Sequence, residues 1–133
     1  MANEAVLVYE TSLPVSFTVS DSIGIEKGTV CVMSDLMTAA AATLSGAIIA
    51  GILAEEKIAL DGKIKIPIYR SGIFKVTGSG TITVGDAVGH SPTANIVQSV
   101  GLNQENILGI ALETAANAET LLIELKPMAA NLA

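Results

Sequence analysis

The stretch Asp61-Gly62-Lys63-Ile64-Lys65-Ile66-Pro67-Ile68-Tyr69-Arg70-Ser71-Gly72-Ile73-Phe74-Lys75-Val76-Thr77-Gly78-Ser79-Gly80-Thr81-Ile82-Thr83-Val84-Gly85-Asp86 decides the fold class. It holds three short apolar runs, each alternating with polar residues at a period of two and each bounded by Gly, Asp or Ser. That period puts successive side chains on opposite faces of an extended strand, and the boundary residues are those that reverse a chain. The reading predicts strands over 64–68, 73–76 and 81–84.

Outward from this stretch the pattern repeats. Val15-Ser16-Phe17-Thr18-Val19 alternates and is broken by Asp21-Ser22; Gly28 opens the run from Thr29 to Met33, and Gly46 opens Ala47 to Ala54. Further runs lie at 95–100, 107–112 and 120–125. Short strands at this spacing predict an all-β chain, a small β-barrel or sandwich. Only Leu36 to Leu44, rich in Ala, could form a helix of two turns, and a loop suits it equally. The expected organisation is an extended N-terminal arm (residues 1–14), a β-barrel or sandwich domain (15–126) and a C-terminal tail (127–133).

The two halves echo each other. Gly28-Thr29-Val30, Gly51-Ile52, Glu55 and Ile64-Lys65-Ile66 are matched by Gly85-Asp86-Ala87-Val88, Gly109-Ile110, Glu113 and Leu122-Ile123-Glu124-Leu125. One supersecondary unit could occur twice, giving a barrel or sandwich of two similar halves. Gly-rich strand composition could also produce the echo by chance.

Composition narrows the function classes. A chain of 133 residues fits one ordinary domain, and half of its residues are hydrophobic against 15% charged. The mean hydropathy of +0.59 is high for a small domain, which has much surface to cover, so another chain is expected to bury part of it. The apolar residues are aliphatic, with two Phe, two Tyr and no Trp. The net charge is −6, and the seven basic residues are scattered, leaving no patch for phosphate neutralisation; nucleic acid is not an expected partner. Met37 to Ala54 carries no charge, but its Thr, Ser and Gly content and its lack of flanking aromatic or basic anchors argue against a membrane span. The N-terminus shows no secretory signal pattern.

Catalytic chemistry finds no footing. His90, the one histidine, lies in the turn-like Gly89-His90-Ser91-Pro92 and is expected to be a surface or turn residue without a triad. Cys31, the one cysteine, sits in an apolar run and reads as a buried inert thiol, which excludes an intrachain disulfide. Glu55-Glu56 reads as a solvated turn, because neighbouring strand residues face opposite ways and cannot work as a glycosidase pair. Gly78-Ser79-Gly80-Thr81 lacks the Lys-Ser/Thr of a phosphate loop. Lys63, after the Asp61-Gly62 turn, lacks the flanking residues of a biotinyl or lipoyl carrier. No catalytic, cofactor or metal site is expected.

A resemblance adds to this reading. Gly51-Ile52, Gly72-Ile73-Phe74-x-Val76, Gly85-Asp86-Ala87-Val88, and Leu108-Gly109-Ile110-Ala111-Leu112-Glu113-x-Ala115 through Leu121-Leu122-Ile123-Glu124-Leu125 stand in an order that resembles small capsid decoration (cement) proteins of tailed phages. The likeness spans residues 28 to 126; the Ala-rich insert before Gly46 and the N-terminal arm depart from it. It implies a virion protein on the outer capsid surface that stabilises the expanded head, with the major capsid protein and further copies of itself, as a homotrimer, for partners. The arm, as Val6, Leu7, Val8 and Tyr9, and Val15, Phe17 and Val19 are the candidate contacts, because they are apolar and lie outside the expected core. A soluble β-barrel module that binds a peptide or small ligand is the alternative, and it would be a monomer with a concave apolar pocket.

Overall fold

The computed structural model describes residues 3–42, 48–100 and 106–128. It is all-β, with no helix among these residues. Eleven strands form in chain order: β1 (Val6–Tyr9), β2 (Val15–Thr18), β3 (Val30–Asp35), β4 (Thr38–Ala41), β5 (Ile49–Leu53), β6 (Lys65–Tyr69), β7 (Gly72–Ser79), β8 (Ala87–His90), β9 (Ile96–Ser99), β10 (Ile107–Ala111) and β11 (Thr120–Met128).

These strands close into two barrels. Barrel 1 has the order β2-β4-β3-β5-β6, sealed by antiparallel pairing of β2 with β6. In barrel 2, β7-β11-β10-β8-β9 closes through parallel pairing of β7 with β9. The pairings correspond one to one, including the parallel contact of β2 with β4 and of β7 with β9. The echo in the sequence is therefore a true structural repeat.

Backbone hydrogen bonds give its register. Ile25 and Lys57 exchange N–H···O bonds, as do Ile82 and Ala115; Gly28 N donates to Leu53 O, as Gly85 N does to Ala111 O; Ala42 N donates to Val30 O, as Val100 N does to Ala87 O. The Gly28/Gly85, Gly51/Gly109 and Glu55/Glu113 matches agree with this register. The last match shifts: Ile66 and Ile68 correspond to Leu121 and Ile123, by their pairing with Phe17 and Leu53 in one barrel and with Val76 and Ala111 in the other.

The sequence expectations shift in four places. The Ala-rich segment forms strand β4 over Thr38–Ala41 rather than a helix; residues 43–47 lie outside the described set. Thr81 to Val84 is not a strand, because the Asp86 carboxylate accepts the Thr83 N–H at 2.9 Å and curls the chain, leaving Ile82 as a single bridge to Ala115. Residues 15–19 do not lie outside the core: β2 is a barrel stave, with Phe17 and Val19 inside. The final strand runs on to Met128, into the segment read as a tail.

Two core clusters result. Phe17, Val19, Ile25, Cys31, Ala50, Leu53, Ile66 and Ile68 fill barrel 1. The core of barrel 2 does not stop at its own wall; it continues through Val30, Ile49 and Ile52 on the outer face of barrel 1. β5 is thus buried on both faces along its whole length, which explains an unbroken apolar run where alternation is the rule for a one-sided sheet.

Candidate functional site

The N-terminal arm is built onto the barrels rather than trailing from them. Ala5 N donates to Gly28 O at 2.8 Å, and Gly28 has φ of 88° with the Ala5 carbonyl where a Cβ would lie, so only glycine admits the arm there. β1 then pairs antiparallel with β7 over Ile73–Lys75, the part of β7 that β9 does not reach. Beyond β1, Tyr69 Oη donates to Glu10 Oε2 at 2.9 Å and Thr11 Oγ1 to Ser71 Oγ at 3.0 Å. The Glu10 carboxylate raises the Tyr69 pKa above the ordinary phenol value, since the phenolic proton is held in that bond.

β1 ends the sheet. All four of its residues are exposed, Val6 at 59% and Tyr9 at 66%, and its outer edge carries backbone groups that pair with no described strand. An apolar edge strand exposed on both faces is a template for strand addition or for burial against another chain. Val15 is also exposed. Phe17 and Val19, by contrast, are buried in barrel 1 and have no surface to offer a partner. Alternation puts Val15, Phe17 and Val19 on one face of the strand, and Val15 is exposed because it begins β2 at the mouth of the barrel.

Between the arm and the barrels runs a groove of about 470 Å³, lined by Ala5, Leu7, Ile52, Tyr69 and Phe74 with Lys27 and Glu4. The Tyr69 and Phe74 rings meet edge to face there, with centroids 5.6 Å apart, joining β6 of barrel 1 to β7 of barrel 2.

The titratable residues serve the fold. His90 is buried, not at the surface: its Nε2 accepts the backbone N–H of Asn95 at 3.1 Å, and Asn95 Oδ1 accepts Val30 N–H at 2.9 Å, so the β8–β9 turn is tied to barrel 1. Cys31 is buried in barrel 1, and burial pushes its thiol up to about 12, far from any reactive thiolate. Lys63 pairs with Glu55 at the surface.

Sequence reasoning missed Lys57. Its side chain is fully buried, with Nζ 2.8 Å from Asp21 Oδ1 and 2.5 Å from Asp61 Oδ1, and it donates to the Ile58 carbonyl at 2.7 Å. Burial opposes its charge, yet the two carboxylates override that and hold its pKa above the ordinary lysine value; the bond to Lys57 lowers both Asp21 and Asp61. Nothing in the sequence marks this cluster, because Asp21 lies 36 residues from Lys57 and only loop packing unites them. No group of His, Cys, Asp or Glu suited to a metal occurs among the described residues. No helix among them is long and apolar enough to cross a membrane.

The described residues thus form two closed barrels with an apolar edge strand at the margin of the sheet. A family model described as phage cement protein matches residues 9–127. The chain belongs to this family. The cement-protein match takes in both barrels and starts at the end of β1. Among solved structures, the fold is similar to the N base of the head fiber gp8.5 of bacteriophage phi29, with a TM-score of 0.57 and 15% identity over 84% of this chain and 93% of that one. At this identity the likeness speaks for the fold alone. No curated protein sequence matches the chain.

Proposed function

We propose that this cement-family chain is a non-enzymatic structural protein of a tailed-phage virion. It binds the outer surface of the capsid through the major capsid protein, stabilises the expanded head, and works as a homotrimer. The observation that carries the contact assignment is β1: four consecutive exposed residues, Val6, Leu7, Val8 and Tyr9, on the outermost strand of the sheet. A capsid subunit can add a strand to that edge and cover its apolar side chains, burial that contributes roughly 25 cal/mol per Å² of apolar surface. Val15, exposed near the arm's end, can extend the contact; Phe17 and Val19 cannot.

Removing residues 1–14 and measuring occupancy on preassembled, expanded capsids tests the reading. Occupancy is expected to fall at least tenfold, while undiminished binding would rule out the arm as the contact. The groove under the arm favours a second reading, a ligand-binding module, because its volume suits a small molecule or peptide side chains. That reading requires a monomer, which light scattering coupled to size exclusion decides.

A further inference from the structure

The two barrels meet asymmetrically. Barrel 2 presents one end, made of the β8–β9 turn with Asn95, the start of β7 with Phe74, and the Leu125 region of β11. Barrel 1 presents a side, the outer face of β3 and β5 with Val30, Ile49 and Ile52, joined by Tyr69. Because the barrels are copies of one unit, each carries both an end and a side. The contact inside the chain uses the end of barrel 2 and the side of barrel 1, and leaves the end of barrel 1 and the side of barrel 2 without partners among the described residues.

Both unused surfaces keep an apolar character. Met37 in the β3–β4 turn corresponds to Asn95, from the parallel pairings Thr18 with Thr38 and Thr77 with Ile96, and both residues are left-handed, with φ of 47° and 62°. At this end of barrel 1, Leu36 is 86% exposed and Met37, Ile48 and Val15 are exposed beside it, where the corresponding Asn95 and Phe74 of barrel 2 are buried. On the side of barrel 2, Ala87, Ile107 and Ile110 stand where barrel 1 has Val30, Ile49 and Ile52; the first three are only half-buried, the second three fully covered. Charge is complementary as well. Arg70 occupies the barrel 1 end at the place of buried Leu125, and Glu124 occupies the barrel 2 side at the place of Tyr69.

We propose that copies of this chain assemble head to tail, with the β3–β4 end of barrel 1 in one copy, centred on Leu36 and Met37, packing on the β8–β10 side of barrel 2 in the next, centred on Ile107 and Ile110. The contact between copies repeats the contact within each chain. The inference rests on the homo-oligomer of the proposed function and names its interface. A heterologous contact closes into a ring when its rotation divides a full turn and otherwise grows into a filament; the discrete homotrimer corresponds to the closed case.

Leu36→Glu and Ile110→Glu, both at positions outside the barrel interiors, test it in the full chain by sedimentation velocity, with circular dichroism as the check on folding. The native chain is expected to sediment as an oligomer and each variant as a single 13.6 kDa chain. An equimolar mixture of the two is expected to form a species of two chains, because one variant retains an intact side and the other an intact end. Leu36→Ser and Ile110→Ser replace any charged variant that does not fold. A monomeric native chain, single variants that keep the native mass, or a mixture that stays monomeric each overturns the proposal. Capsid occupancy is scored separately: a native oligomer that obeys the mixing result but never binds capsids leaves this interface standing and removes the decoration role.

Discussion

Gly51 and Gly109 hold the same place in the two barrels, in β5 and β10. A Cβ on Gly51 would lie 2.0 Å from the Tyr69 carbonyl oxygen, and one on Gly109 would lie 2.2 Å from that of Glu124. Gly51 also has φ of 147°, which side chains rarely adopt. The paired strand therefore crosses so closely that its backbone fills the space of a methyl group, and the obstacle is backbone, which cannot rotate away. Gly51→Ala and Gly109→Ala are each expected to cost about 3 kcal/mol, at the upper end for overpacking, read from the midpoint of urea unfolding. These two glycines were legible as a repeated motif, but their reason was not, since sequence carries no measure of how closely two strands cross. Lys57 was illegible altogether, because beside Glu55-Glu56 it reads as one more solvated charge.

At the scale of elements, Lys57 joins the β2–β3 and β5–β6 loops through Asp21 and Asp61. Barrel 2 closes the corresponding loops with Ala115 in its place, so the fold as such does not require the ion cluster. The folded pKa values of Asp21 and Asp61 lie below the unfolded ones. Their contribution is therefore present above about pH 3.9 and lost as pH falls through the depressed values. The folded pKa of Lys57 lies above its unfolded value, so its contribution is present below about pH 10.4 and lost as pH rises through the folded value. Lys57→Ala is expected to lower Tm at neutral pH, because two carboxylates then face each other without a cation, and the Tm gap to the native chain is expected to shrink at both extremes. A gap independent of pH, measured by calorimetry, would show that Lys57 acts through packing alone. The strands themselves were mostly legible, since β2, β6 and β7 alternate as half-buried staves do. Thr81–Val84 alternates equally well yet curls away, since a side-chain bond from Asp86 captures the Thr83 amide that a ladder would use.

For the molecule as a whole, the junction between barrels depends on Asn95. Its amide oxygen satisfies the buried Val30 N–H, and its left-handed φ of 62° suits Asn better than most residues. Asn95→Ala is expected to destabilise the chain by about 1–3 kcal/mol, the cost of a buried donor left unmade. Asn95→Gly relieves the backbone but not the lost bond, so in urea titrations it should fall between the two. Equal stability of Asn95→Ala and the native chain would mean that the bond to Val30 contributes nothing.

The sequence by itself determined the all-β class, and it offered the repeat of two similar halves and the buried thiol as readings that the structure bears out. Each of these follows from local rules: a period of two along strands, turn residues at their ends, and one set of glycines appearing twice. The tertiary structure decided that the halves close into separate barrels, that one barrel's end packs on the other's side, that Phe17 and Val19 lie inside while Val6 to Tyr9 stay out, and that Lys57 and His90 are buried. Those outcomes depend on which residues distant in sequence approach one another, and a local pattern of apolar and polar residues is the same whether its apolar face meets its own barrel, the neighbouring barrel or a second chain.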